Sequence, residues 1–260
     1  GHDTTLIASG KNLLELVNFV NHELKKISAW FRANQMVLHP DKTKFTIFHS
    51  KPSNIPWDDI KIFIDENENF TQDPGLKRPL SFVNHMSDVP AIKFLGLYFD
   101  PALNFKYHIS QIHKKLSKAL FILRRAKNVL TPRALKALYY STFDCHLAYG
   151  NQIYSSADPG SLKGLKILQK KAIRCISNAT YNAHTAPLFK KLNIMPLETS
   201  IKYNKLQIMY DFITNCLPRS FDNKWHTVQH LTNRVSRNCM NFHIPYFRTK
   251  LVSRLSLIHI

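Results

Sequence analysis

Between Ala91 and Ile109 the chain changes period. The stretch AIKFLGLYFDPALNFKYHI begins as a run dense in Ile, Phe, Leu and Tyr. Such a run predicts a strand from Ile92 to Phe99, buried on both faces or lying under another layer. Gly96 interrupts it, and a glycine inside a strand marks a bulge or a place where another backbone comes close. Asp100-Pro101 stops the strand, and from about Phe105 the apolar residues recur at helical spacing. A sheet-bearing segment therefore gives way to helices at one point, which predicts an α+β chain. Charge changes at the same place. Residues 1–103 carry 11 Lys and Arg against 12 Asp and Glu, whereas 104–260 carry 25 against 5. A strand with a point of close approach, followed at once by cationic helices, predicts a polymer bound at the junction.

At 260 residues the chain has room for one large or two ordinary domains. An apolar fraction of 44% supports a core, and the net charge of +19 points to a polyanionic partner. An ordinary solvated basic surface is the weaker explanation, because the excess is confined to one part of the chain. No apolar run reaches the roughly 18 residues of a membrane span, and no secretory signal opens the sequence. Cys145, Cys175, Cys216 and Cys239 form no CxxC pair, a pattern of reduced thiols inside a cell rather than of a zinc site.

In chain order, Leu13, Leu16, Val17, Val20, Leu24, Ile27 and Phe31 set a helix within Asn12–Met36 that covers a sheet with one face. Lys44–His49 and Lys61–Asp65 read as strands. The prolines and acids between Asn67 and Asp88 predict a surface insertion. Beyond the central strand, Ile109, Ile112, Leu116, Ala119, Leu120 and Leu123 form one stripe. Lys114, Lys115, Lys118, Arg124, Arg125 and Lys127 lie mostly off it. Thr131-Pro132 caps a helix running to about Tyr149, and Asp158-Pro159 caps another reaching Ser177. That second helix carries Lys163, Lys166, Lys170, Lys171 and Arg174. Helices over about Ala186–Leu192 and Leu197–Asn215 follow, then a basic aromatic tail beyond Pro218. With 5 acids in this half, the cations predict a face that tracks phosphates, joined in the tail by Arg234, Arg237 and Arg248. Tyr139, Tyr140, Tyr149 and Tyr154 offer stacking surfaces for bases, but at helical spacing they read better as core.

Several of these stretches, in this order, resemble the C-terminal part of a non-LTR (LINE-type, jockey-like) retrotransposon reverse transcriptase. HDTTL is similar to the end of the family's paired-aspartate box. Trp30, Asn34, Met36, Leu38, Lys42 and Thr43 resemble the box after the palm helix. Phe94-Leu95-Gly96-Leu97-Tyr98-Phe99-Asp100 with Leu103 and His108-Ile109 looks like the primer-grip hairpin and the entry to the thumb. The likeness continues through His146-Leu147, Tyr149-Gly150, Gln169–Arg174 and His184-Thr185 with Pro187–Phe189, and on to Thr232, Arg234, Pro245 and Arg248-Thr249. It covers His2 to about Ser253, and six or more boxes in order carry it.

The resemblance implies a partial palm over 1–103, with three antiparallel strands, a packed helix and the insertion at 67–88. It implies a helical thumb over 104–216 and a basic connector over 217–254. LSLIHI at 255–260 departs from the family pattern and resembles translated adapter sequence. Polymerase chemistry needs two divalent cations held by carboxylates from separate strands. Of these the resemblance places Asp3 alone, as an incomplete Mg²⁺ site, because His2 stands where the family has Asp and an imidazole is a poor substitute for a hard oxygen. Lys42 matches a lysine near the departing pyrophosphate, where an ammonium offsets developing charge; a surface lysine closing a turn is the alternative. Leu95 and Gly96 match the turn that contacts the primer's terminal phosphates. A full-length parent would copy an RNA template from a DNA primer inside the cell, in nucleus and cytoplasm. The chain itself is expected to bind the RNA/DNA hybrid without polymerising and without holding a metal tightly. A non-enzymatic nucleic-acid-binding helical module, domesticated from such an element, is the competing reading. An additional carboxylate box upstream would separate the two.

Overall fold

The computed structural model describes residues 4–36, 38–39, 42–49, 60–65, 77–83, 87–221, 225–226 and 242. Asp3, Arg234 and Arg248 lie outside them, as do most of the expected connector and all of the expected adapter-derived tail. The chain forms two compact units. One comprises Gly1–Phe94 with Phe99–Ala102, and the other Leu95–Tyr98 with Leu103–Ile260.

The first unit is built on α1, Leu13–Ala33. Asn12 caps it from an extended conformation: its Oδ1 accepts from Leu14 N–H at 3.0 Å, and its Nδ2 donates to Glu15. Val17, Val20 and Leu24, at helical spacing, pack on the buried Ile62, Ile64 and Leu80. The helix also serves the strand it covers. Asn21 donates to Lys61 O and accepts from Phe63 N–H, both at 3.1 Å, so one side chain satisfies two backbone groups beside β2, Phe63–Asp65.

The strands of this unit are shorter than the sequence suggests and pair differently. β1, Lys44–Phe45, pairs in parallel with β4, Ser81–Phe82. Phe45 stacks on Phe82, with ring centroids 4.9 Å apart. β2 pairs antiparallel with β3, Lys77–Pro79. Among the described residues the expected antiparallel palm sheet is therefore replaced by separate two-stranded sheets. Residues 77–83, expected in a surface insertion, supply β3, β4 and the buried Leu80 and Val83. Pro79 argues against a strand in the sequence, yet a proline at the last position of a two-stranded ladder removes little from it.

The expected single strand Ile92–Phe99 is two strands, β5 (Ile92–Phe94) and β6 (Leu97–Phe99), which form the third sheet. Leu95 and Gly96 turn the chain between them at φ +44° and +82°. Two successive residues at positive φ make a tight hairpin turn whose twist matches the strands. Phe94 and Leu95 are exposed, so the segment is not buried on both faces.

The second unit is helical. α2, Lys106–Ala126, buries Ile109, Ile112, Leu116, Ala119, Leu120 and Leu123 as the stripe predicts. α3 runs over Pro132–Tyr139 and continues through a π-helical turn, Tyr140–Asp144, into α4, Cys145–Ala148. Thr131 caps α3 by accepting from Ala134 N–H. Gly150, at φ +65°, separates α4 from a short α5, Asn151–Tyr154, which the helical spacing did not indicate. A Cβ on Gly150 would come within 2.7 Å of Leu97 Cδ2, so a side chain there would have to displace the buried Leu97 at a φ that favours glycine. α6 (Pro159–Ile176) starts at the Asp158 cap, and α7 (Thr185–Leu192) and α8 (Leu197–Ile213) follow.

A buried polar hub ties these helices together. Gln169 on α6 donates to the Tyr139 hydroxyl and to Met195 O, both at 3.1 Å, and accepts from Leu197 N–H at 2.9 Å. Asn151 donates to Ser200 and accepts from Asn204, joining α5 to α8. In a dry interior each such group must be paired, so the hub fixes the helix register as well as adding stability.

Candidate nucleic-acid interface

α2 and α6 lie side by side and run in the same direction. His113 sits over Gly164, where a Cβ would meet His113 Cδ2 at 3.4 Å. Further along both helices, the charges of Lys127 and Arg124 act on the Cys175 thiol. Burial raises that thiol's pKa, and the two cations oppose the rise. Lys171, one turn before Cys175 on α6, borders the same seam. Arg124 and Lys127 thus gather at the Cys175 end of the seam.

A second group is the outer stripe of α2. Lys114, Lys118 and Arg125 are exposed, and the helical period puts them opposite the buried Leu116 and Leu123. Phe121 and Ile122 lie on this outward side and are exposed as well, at 60% and 46%. The Arg125 guanidinium carbon stands 5.4 Å from the Phe121 ring centroid. Helical neighbours four apart meet on the surface, so sequence spacing alone permits this pair, though nothing in the sequence sets it apart from other such neighbours.

The remaining predicted cations go elsewhere. Lys115 turns to the flank of α2, where its charge acts on His108 and His146. Lys170 lies near Glu198, which pairs with Lys166 at 2.5 Å. The bond from Lys166, with the neighbouring positive charges, holds the Glu198 carboxyl below its usual range. Arg174 donates from Nε to Ala183 O at 2.9 Å and so secures the loop after α6. Lys42 is exposed in a turn of the other unit, its N–H donating to His39 O at 3.1 Å.

The few acids of the helical unit have other tasks. Asp158 caps α6, Asp211 accepts from Gln207, and Asp144 accepts from the Tyr139 hydroxyl. Burial raises the pKa of Asp144. Glu198 is engaged by Lys166. Among the described residues the outer cations of α2 therefore face solvent without a carboxylate partner, which leaves their charge available to an external polyanion.

The tyrosines divide. Tyr139 and Tyr154 are fully buried core, and burial raises both hydroxyl pKa values. Tyr140 and Tyr149 are exposed at 42% and 56%, which corrects the core reading for that pair. Tyr149 reaches the hairpin turn: its hydroxyl donates to Leu95 O at 2.5 Å, and its ring lies 3.2 Å from the place of a Cβ on Gly96. The close approach expected at Gly96 is thus made by an aromatic side chain and not by backbone.

Among the described residues no three His, Cys, Asp or Glu side chains gather into a ligand set, and Asp3 lies outside them. No helix among them is long and apolar enough to cross a membrane.

No family model and no solved structure matches this chain. Two curated proteins of Drosophila melanogaster do, and both are RNA-directed DNA polymerases. The probable RNA-directed DNA polymerase from transposon BS is 24% identical over 204 residues, which is 76% of this chain and 20% of that protein. The RNA-directed DNA polymerase from mobile element jockey is 22% identical over 199 residues, 75% of this chain and 19% of that one. The chain thus spans about one fifth of the length of these relatives. The similarity supports a reverse-transcriptase fragment. Its particular relatives are the polymerases of non-LTR retrotransposons, as the sequence boxes suggest.

Proposed function

We propose that this chain is the C-terminal part of the RNA-directed DNA polymerase of a non-LTR retrotransposon. In this reading the Leu95–Gly96 turn is the primer grip and the helical unit is a thumb that holds the RNA template and DNA primer by their phosphates. The observation that supports it best is the outer stripe of α2, where Lys114, Lys118 and Arg125 stand exposed with no carboxylate among their described partners. A thumb must let its substrate slide through many registers, and contacts to phosphate carry no sequence information. Lys115 and Arg124 on the same helix, and Lys170 and Lys171 on α6, are read as further phosphate contacts of this thumb. Arg174 contributes by fixing a loop, and Arg234 and Arg248 belong to the proposed connector. Mg²⁺ would serve the full-length enzyme, with Asp3 as one of its ligands and Lys42 near the departing pyrophosphate.

The purified chain should bind nucleic acid whatever its sequence, with similar affinity for unrelated sequences of the same strandedness. That affinity falls steeply with salt, with a log–log slope near −0.7 per neutralised phosphate for single strands. Fluorescence anisotropy across a salt series reads both properties. Binding confined to one sequence, or insensitive to salt, would refute the reading. Nucleotide incorporation on a primed RNA template with Mg²⁺ or Mn²⁺ is expected to stay at the level of an Asp3→Ala control.

A further inference from the structure

Phe121 is a large aromatic side chain standing in water among cations. It is 60% exposed on the outer stripe of α2, with Lys118 three residues before it and Arg125 four residues after it. Burial does not account for it. Stacking of Arg125 on its ring, 5.4 Å from the centroid, is worth only about 0.5–1 kcal/mol at such a site. The ring is held by that guanidinium and still presents most of its surface to solvent. An exposed π-face, a cation on the same ring and two lysines within one to two turns are the parts of a stacking site for single-stranded nucleic acid.

We infer that Phe121 is a base-stacking platform for an unpaired nucleobase, with Lys114, Lys118 and Arg125 on the phosphates of the same strand. This rests on the proposed phosphate-binding role of the α2 face and adds a preference that charge alone cannot give. Phosphates are present in duplex and single strand alike, whereas the π-faces of bases are open only where the strand is unpaired. Lys114 to Arg125 spans about 16 Å along the helix at ~1.5 Å per residue, room for several nucleotides of one strand. Charge complementarity favours this occupant over an apolar protein surface, since three of the five outward side chains Lys114, Lys118, Phe121, Ile122 and Arg125 are cationic.

The test uses the whole chain, a single-stranded oligonucleotide carrying 2-aminopurine, and the blunt duplex of the same sequence. Phe121→Ala should weaken single-strand binding about tenfold, leave duplex binding within about twofold, and keep the parental salt slope. It should also abolish the change in 2-aminopurine fluorescence, and Phe121→Trp should retain that change. Parental single-strand affinity in Phe121→Ala, the result expected if this face docks another protein, overturns the inference. An equal loss on single strand and duplex overturns it too. A parental salt slope in a Lys114→Gln, Lys118→Gln variant would instead overturn the phosphate reading beneath it, so the two failures are distinguishable.

Discussion

The Tyr149 hydroxyl donates to the Leu95 carbonyl at 2.5 Å, which pins a tight turn to a residue 54 positions later in the chain. The same ring closes over Gly96, whose φ of +82° is one that residues with a Cβ rarely adopt. Gly96→Ala meets both obstacles, the backbone and the 3.2 Å approach of Tyr149 Cε1. It should destabilise the helical unit by about 1–2 kcal/mol. Tyr149→Phe, which removes only the hydrogen bond, should cost about 0.5–1.5 kcal/mol. Urea unfolding of the two variants checks the ranking.

Gln169 should be the most costly polar side chain to replace. It makes three hydrogen bonds at 2% exposure, and Leu in its place leaves the Leu197 N–H and the Met195 carbonyl without their partner. Gln169→Leu should destabilise by roughly 2–6 kcal/mol, from two orphaned backbone groups at about 1–3 kcal/mol each. A smaller loss than for Lys170→Gln, at the exposed neighbouring position, would show that the hub does not hold α6 to α8.

The helical half was legible because its signals are local. The Ile109–Leu123 stripe, the Thr131 and Asp158 caps and the prolines behind them act within one or two turns, and each helix begins within a residue or two of the place they indicate. The hairpin was not legible from the strand pattern, because Leu95 carries no turn signal and its φ of +44° is stabilised by Tyr149 from far along the chain. Only the family likeness pointed to a turn there. β3 and β4 were hidden by Pro79 and by flanking polar residues, since their worth lies in long-range pairing with β2 and β1. In the candidate site the cations were legible and their grouping was not. Whether Arg174 faces an external phosphate or a loop carbonyl depends on where Ala183 lies, which no periodicity reveals.

Acid should weaken the helical unit through His108. Burial, helped by the Lys115 charge, lowers its pKa to about 4 from an unfolded value near 6.5. Between those values the unfolded chain binds a proton that the folded one refuses. The stability contributed by neutral His108 is therefore fully present above about pH 6.5 and is lost as pH falls towards 4. His146, also lowered, adds in the same direction, while Asp144, raised by burial, acts in the opposite one. His108→Asn keeps an acceptor for Tyr98 N–H but cannot titrate. Between pH 7 and 5 its unfolding free energy should fall by about 1–2 kcal/mol less than that of the parental chain. Equal losses in the two proteins would show that His108 does not carry the acid sensitivity.

The most direct test of the phosphate-binding face compares two multiple variants across a salt series. One replaces Lys114, Lys115, Lys118, Arg124 and Arg125 by Gln; the other replaces Lys11, Lys25 and Lys26 in the half where acids balance bases. Fluorescence anisotropy with single-stranded oligonucleotides of unrelated sequence gives the affinity and its salt slope together. The first variant should bind at least tenfold more weakly at low salt with a visibly flatter slope, since each phosphate no longer neutralised takes about 0.7 from it. The second should stay close to the parental chain in both. If the first variant kept the parental slope, the cations of α2 would be an ordinary solvated surface and not a thumb's grip on nucleic acid.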